Sequence, residues 1–435
     1  MSSANKLKLP IASVAGATTA LVLLTALNFV NYIDRYILPG VQELVKKEFR
    51  VSDSQIGSIT FWFFLTYMLS APLTGWLGDH LPRKPLIIVC ALLISAVNIL
   101  TGTVHVFGSL LFRHAILGIG EASLGIYAPA LLADFYPEDQ RNRILTIFYT
   151  AIPVGAAIGV LMGETVGARF GWRMPFYVSA VPGVIIGVLI LFLLKEPARG
   201  ASDPHPHPEA QNVAAAHTSV GEAVADSLRM VGQLAINPRY MYATLGMAMI
   251  TFSLGGISAW MPSFLERSGF SPDSVGTIFG AIIAGGGLGG TAVGGWLAQR
   301  WLRTNHRALY LVSAWSAALT VPAALLCFFG PRVTLLPALT AAMFLIMLGT
   351  GPLNAAIINA VPAAVRSTAV AIELLLIHAL GDTPSPKLIG IVSDHSTLAL
   401  GLGLTLVTML IAAVLLFVGA RYEHPLPSNL DLDLA

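Results

Sequence analysis

The residues most able to do chemistry in this chain form the run Asn31-Tyr32-Ile33-Asp34-Arg35. An acid and a base stand side by side inside a stretch apolar enough to be a membrane helix. A charge at that depth costs roughly 2.5–3.5 kcal/mol on insertion scales. Chains keep such charges where they line a cavity, pair, or move protons. A second acid, Glu121, lies near the middle of another apolar run, with His114 seven residues before it. Seven residues bring two side chains to within about 20° of one helical face, so His114 is a candidate second proton site. A third apolar run carries Glu373, His378, Asp382 and Lys387. His378 and Asp382, four apart, can touch on a helix. Pro384 and Pro386 break that helix, so freed carbonyls could line a cavity or form a hinge.

These residues need a scaffold, and composition identifies its solvent. Of 435 residues, 55% are hydrophobic and 11% charged, against about 25% charged in a soluble domain. Mean hydropathy is +0.74. The net charge of +2 is too small to suggest nucleic acid. Cys90 and Cys327 both lie in apolar runs and read as small core residues. A spanning helix needs about 20 mostly apolar residues. Twelve runs qualify: 15–39, 54–78, 84–105, 107–134, 141–167, 173–194, 239–264, 273–299, 306–329, 333–361, 366–392 and 397–420. The expected fold is therefore an all-α membrane protein with twelve transmembrane helices in two pseudo-symmetric six-helix halves.

Lysine and arginine set the orientation. With the N-terminus inside, fifteen of the 25 fall on the inner face and seven on the outer; Arg35, Arg113 and Lys387 lie within spans. That bias expects a multi-pass protein of the cell membrane with both termini in the cytoplasm. Lys6 and Lys8 precede an apolar run without a cleavage site, so the run reads as a retained first helix. The expected organisation is a cytoplasmic N-terminus (1–14), a six-helix half (15–194), a cytoplasmic linker (195–238), a second half (239–420) and a tail (421–435). The linker opens with Asp203-Pro204-His205-Pro206-His207-Pro208, a flexible stretch rather than a metal site. Val220, Val224, Leu228, Val231 and Ala235 then recur at helical spacing, as in an amphipathic helix on the inner membrane face.

The halves echo each other. Gly75-Trp76-Leu77-Gly78-Asp79 ends span two, and Gly295-Trp296-Leu297-Ala298-Gln299 ends span eight; each precedes a basic loop. Pro137 and Arg141 after span four match Pro362 and Arg366 after span ten. The motif Gly75-x-Leu77-x-Asp79-x-x-x-Arg83-Lys84 resembles the inner-loop motif of the major facilitator superfamily, with Pro82 in place of the usual second glycine. Trp172-Arg173-Met174-Pro175-Phe176 resembles that family too. The resemblance implies that Asp79 pairs with Arg141, and that this pair, with Arg83 beside it, gates the inner side. Three segments resemble the Spinster family within it: Asn31 to Arg35, Gly118-Ile119-Gly120-Glu121-Ala122, and His378 to Pro386.

The Spinster resemblance implies that Asp34 and Glu121 couple protons, and that Arg35, Glu121, Asn31 and Tyr32 hold substrate. A buried carboxyl favours its protonated form and a neighbouring arginine opposes this. Neighbours on a helix point about 100° apart. Arg35 therefore meets either Glu121 or the head group of an anionic substrate, whose oxygens its fork can bind in pairs; the static alternative is a buried ion network that only holds helices together. The family pattern expects an arginine at position 114. His114 stands there with Arg113 one residue earlier, so either Arg113 bends into the role or the role has changed. Lys387 replaces an expected apolar residue and either snorkels outward or holds a phosphate. His378 and Asp382 are further accessory candidates. Asp34 is expected in the outer half of span one, for a span starting near Ala15.

Spans seven and ten carry no interior charge; they offer Phe252, Trp260, Asn354 and Asn359. One charged wall and one apolar wall suit an amphiphile, a lysophospholipid or a sphingoid phosphate by the family resemblance. The alternative is a small organic anion or drug carried by the same machinery. Glycines at 155, 159 and 163, and from 285 to 295, provide small faces for helix packing or sliding. No Gly-Lys-Ser phosphate loop points to ATP-driven transport, no metal-ligand spacing stands out, and neither an enzyme nor a cofactor is expected. The expected partners are the small amphiphilic substrate, protons and membrane lipids, with no nucleic acid, and the expected state is a monomer.

Overall fold

Apolar runs of about 20–30 residues, bounded by prolines, glycines and cap residues, fold here as membrane-length helices. The computed structural model describes residues 14–202, 232, 234–361 and 366–423, without the side chains of Asp79, Glu138, Asp139, Asn142, Asp273, Arg366, Ser367 and Thr368. The first half comprises α1 (Ala17–Phe49), α2 (Asp53–His80), α3 (Arg83–Thr101), α4 (Phe107–Phe135), α5 (Glu138–Tyr149), α6 (Ala151–Phe170) and α7 (Met174–Leu193). The second comprises α8 (Pro238–Arg267), α9 (Pro272–Leu302), α10 (Ala308–Phe329), α11 (Arg332–Asn359), α12 (Arg366–Ile377), a π-helical turn (His378–Asp382), α13 (Ser385–His395), α14 (Leu398–Leu402) and α15 (Leu404–Gly419). Among the described residues there is no strand. Most of the expected linker and the tail lie outside the described residues, as does the amphipathic helix expected there.

Local chemistry explains the boundaries. Ser52 caps α2 in a reciprocal box with Gln55. Asn237 caps α8, where Pro238 takes the first-turn position that needs no N–H. Two expectations are corrected. Span one does not stop near Pro39; α1 continues to Phe49 and ends at Arg50 in the left-handed region. Val41 and Val45 extend its buried face, and this packing outweighs the break that Pro39 introduces. Asp34 therefore sits at the middle of α1 rather than in its outer half. Span eleven is also not one helix. Eleven helices are each long and apolar enough to cross a membrane among the described residues; the twelfth crossing is α12, the π turn and α13 in series. Pro384 and Pro386 restart the helix after the turn.

The same neighbour pattern occurs in each half. Helix α2 packs on α4 as α9 packs on α11; α3 lies against α4 and α7 as α10 lies against α11 and α15. Helix α1 packs on α6 as α8 packs on the broken crossing. Close helix approach is built on glycine. A Cβ at Gly155, Gly159 or Gly163 would strike α1 backbone within 3 Å, and α9 glycines 290 and 294 lie as tightly against α11. Both stripes therefore pack helices within one half. The contacts between halves use other glycines: Gly276 and Gly280 of α9 against α6, Gly57 of α2 against Pro386, and Gly390 of α13 against Asp53. All four lie toward one end of the bundle, here called distal; the opposite, terminal end carries Ala17 and Tyr422.

Candidate functional site

At mid-depth between the halves lies a cavity of about 260 Å³, lined from α1 by Tyr32, Asp34 and Arg35 and from the second half by Thr251, Ser258 and Asp382. Arg35 donates through Nε to Glu121 Oε2 at 2.7 Å, and its Nη2 lies 2.6 Å from the same oxygen. Glu121 is 1% exposed, and its other oxygen, Oε1, has no partner. The guanidinium lies 4.9–5.8 Å from the ring centroids of Tyr32, Phe63, Phe64 and Tyr67. This box holds its plane while leaving the side chain 17% accessible from the cavity. Cation–aromatic contacts of this kind contribute about 0.5–2 kcal/mol each, most where water is excluded.

Asp34 is 3% exposed and its Oδ1 has no hydrogen-bond partner. Its side chain faces two spaces. One is the central cavity; the other is a pocket of about 10 Å³ shared with Asn31 and Ser95, close to the minimum that holds one water. Asn31 Oδ1 is likewise buried without a partner. Three polar oxygens on α1 and α4 are thus poised in an apolar core, where an unsatisfied group costs about 1–3 kcal/mol. Pro39, also on the cavity wall, lacks the N–H that would bond the Arg35 carbonyl in a regular helix.

The second half supplies a facing pair. His378 Nδ1 lies 2.9 Å from Asp382 Oδ1. The imidazole stacks on Phe64 and meets Tyr67 edge-on, at 5.6 and 5.3 Å. Two of the four rings around Arg35 therefore also meet His378, and both pairs share one aromatic wall. The second wall, expected to be largely apolar, thus carries this polar pair, whose contact the four-residue spacing allowed. The π turn explains the placement: its wider coil carries Asp382 into the cavity wall.

The other candidates fall differently. His114 lines the cavity, is buried, and bonds the Leu110 carbonyl at 3.2 Å. Arg113 turns away and donates to Thr103 at 3.3 Å. Lys387 lies over the Phe61 ring, 4.9 Å from its centroid, between the halves rather than in the cavity lining. The Asp79 side chain lies outside the described residues. Arg141 donates to the Ala133 and Tyr136 carbonyls at the end of α4 and to Ser202, where a cation meets the negative end of a helix. Arg83 pairs with Asp134, an acid the sequence analysis missed although it stands near the end of span four, just before Pro137 and Arg141.

A charge lock at the distal end was also missed. Asp53 accepts from Lys46, from Arg267 Nη1 and Nη2 at 2.7 and 2.8 Å, and from Ser393 at 2.6 Å. Arg267 further binds Glu43. Asp394 accepts the backbone N–H groups of Asp53 and Ser54. Gln42 reaches the Ala259 carbonyl and Ser263, both at 2.7 Å, and Trp260 donates to the Pro386 carbonyl. The halves are thereby joined at their distal ends. Of these, only Lys46 and Arg267 carried a sequence signal, as outer-face loop charges, because spans one and seven were expected to end before them.

Comparison with known proteins places these features in context. The Major Facilitator Superfamily model matches residues 24–381. The chain is 31% identical over 399 residues to protein spinster homolog 1 of Xenopus tropicalis, covering 87% of this chain and 73% of that protein. It is 32% identical over 392 residues to protein spinster homolog 1 of Homo sapiens, covering 86% and 72%. Its fold is similar to the crystal structure of a bacterial homolog to the human lysosomal transporter Spinster, in an inward-facing and unoccupied conformation, with a TM-score of 0.82 at 21% identity over 96% of this chain and 100% of that one.

Proposed function

The chain belongs to the Spinster family of the major facilitator superfamily, and from that membership we propose that it is a proton-coupled secondary transporter of an amphiphile with an anionic head group, such as a lysophospholipid or sphingoid phosphate. These families are transporters rather than enzymes. The observation that carries the finer reading is the Arg35–Glu121 pair with one unpartnered carboxylate oxygen, one helical turn or less from a second buried acid, Asp34, that also has one unpartnered oxygen.

The chemistry runs through exchange of partners. Arg35 has five donors and gives two to a single oxygen. A phosphate entering the cavity offers several oxygens to the same fork and competes with Glu121 for it. Glu121, losing its cation inside an apolar core, then takes a proton in place of the arginine. Release of substrate returns Arg35 to Glu121 and expels the proton. Asp34, beside this exchange and facing the small pocket with Asn31, supplies a second protonation site. Substrate thus competes with Glu121 for Arg35 while the proton replaces Arg35 on Glu121, so that the two bind together and their movements are linked without any covalent step.

Both termini are proposed to be cytoplasmic. The locked distal end is then the outer one, which supports an inward-facing state. The cavity volume favours a head group inside and a tail outside: about 260 Å³ lies just below the usual range of small-molecule pockets, about 300–1,000 Å³. The same volume favours the second reading, a small organic anion accommodated whole.

The test is uptake into liposomes under an imposed pH gradient, with labelled lysophospholipid and a labelled organic anion offered separately. Wild type should take up the lipid in proportion to the gradient. Asp34→Asn and Glu121→Gln should each lower gradient-driven uptake at least tenfold while leaving the protein folded. Lipid flux indifferent to pH would remove proton coupling. Anion flux without lipid flux would put the second reading first.

A further inference from the structure

A second cavity lies far from the central one, at the terminal end of the second half. It is about 580 Å³ and is formed where the loop between α9 and α10 meets the end of α15. Asn305, His306, Arg307 and Arg421 form its polar rim, and Leu311 and Phe417 its apolar floor. We propose that this cavity binds the phosphate-bearing head group of an anionic membrane lipid, with the acyl chains lying along the adjoining apolar face of α10 and α15.

Several independent features converge there. Arg307 and Arg421 are more than a hundred residues apart, yet line one cavity, and both are exposed. Neither has a carboxylate partner among the described residues, whereas Arg239 and Arg267 of the same half are each paired with a glutamate. Glu423, the nearest acid in sequence to Arg421, is held by Arg239 through both oxygens. Arg307 is also the N-cap residue of the 22-residue helix α10, and a helix N-terminus adds fixed positive potential. Two guanidiniums, an imidazole and a helix N-terminus, with no carboxylate paired to either arginine among the described residues, make an anion site.

The depth of the cavity selects a lipid over a free ion. The wall beyond Phe417 is aromatic and faces outward: Trp315 meets Phe417 edge-on at 5.2 Å and is 52% exposed. Tyr422, next to Arg421, stacks on Tyr242 at 5.5 Å. Trp and Tyr collect at the level of the head groups. Basic residues above an apolar floor at that level match an anionic head group above its own chains. Inorganic phosphate would satisfy the rim and leave the floor bare.

Full-length protein in neutral detergent would be titrated with phosphatidylglycerol, phosphatidylcholine or inorganic phosphate. Bound lipid would be counted by native mass spectrometry and thermal stability followed in parallel. Phosphatidylglycerol should bind and raise the melting temperature, while phosphatidylcholine and phosphate at equal concentration should not. Arg307→Gln and Arg421→Gln should each weaken that binding roughly fivefold, and the double variant by about 25-fold. Arg303→Gln, exposed but outside the rim, should bind as wild type does. Equal binding of phosphatidylcholine, a response to phosphate alone, or an unchanged affinity in the folded double variant would each overturn the proposal. Should the double variant fail to fold, the two single variants, read by mass spectrometry, decide it in the same way.

Discussion

Glu121 gives one oxygen twice to Arg35 and keeps the other bare, and this asymmetry makes the residue scale informative. A pair built only for stability would use both oxygens in a parallel fork, the stronger geometry. Arg35→Lys tests what the fork contributes. Lysine retains the charge but loses the planar donors and the face that lies against four rings. Uptake should fall at least tenfold, with the fold intact by circular dichroism; wild-type uptake would show that charge alone suffices. Position by position, the two ends of this pair were legible because their charge is anomalous in apolar runs. Phe63, Phe64 and Tyr67 were not, because an aromatic residue in a membrane helix has no sequence mark that separates a cavity wall from a lipid face. Arg113 and His114 show the same limit. The sequence identified two basic neighbours, and only packing decided that His114 faces the cavity and Arg113 does not.

At the scale of elements, the distal lock and the small-residue contacts close the same end of the bundle by different means. Asp53 is the hub: it is buried and joins Lys46, Arg267 and Ser393. Removing one partner of a buried charge group costs about 3–5 kcal/mol. Lys46 and Arg267 are each about 30% accessible on the side chain, so solvent reduces the expected loss to roughly 2 kcal/mol. Asp53→Asn should therefore shift the balance between open and closed distal ends by about 30-fold. A cysteine replacing Thr60 in the cavity wall would report it through faster labelling by a membrane-impermeant thiol reagent added on the distal side; unchanged labelling would show that the lock does not hold the closed state. Gly57→Leu should act in the same direction without touching a charge, since even a Cβ there would lie 2.4 Å from the Pro386 carbonyl. If it leaves accessibility unchanged, the α2–α13 contact is not part of the gate. The glycine-rich stripes were plain in the sequence, but their partners were not: spacing marks a close approach without naming the helix that approaches. The span-one boundary failed because the apolar run thins after Leu38 while the helix continues to Phe49, whereas the two prolines near residue 385 marked a true interruption.

Across the whole molecule, the internal echo of glycine-tryptophan motifs was enough to expect two similar halves, and each half repeats the same set of helix neighbours. What the echo did not contain is the division of labour between them. The first half supplies the arginine and the bare acids, the second a histidine–aspartate pair and the flexible turn that presents it. Transport should therefore depend on both. His378→Ala is expected to leave Arg35 and Glu121 paired but to remove the contact through Phe64 and Tyr67 that joins the two walls. Substrate binding in detergent should survive with an affinity within about threefold, whereas uptake should fall severalfold; loss of binding and uptake together would make His378 a substrate contact instead.

The broken eleventh crossing also has a consequence for how the protein is made. Its α12–turn–α13 series carries Glu373, Asp382 and Lys387, each adding roughly 2.5–3.5 kcal/mol against membrane entry when near the centre of a lone segment. Fused alone into a carrier protein, residues 366–392 should integrate poorly, as read by glycosylation of flanking acceptor sites, whereas residues 173–194, free of interior charge, should integrate fully. In the complete chain the deficit is met by neighbours already in place, α8 on one side and α2 on the other. The segment that shapes the second wall must then wait at the membrane until both halves are present, so that assembly of the carrier becomes its own check that the two halves have met.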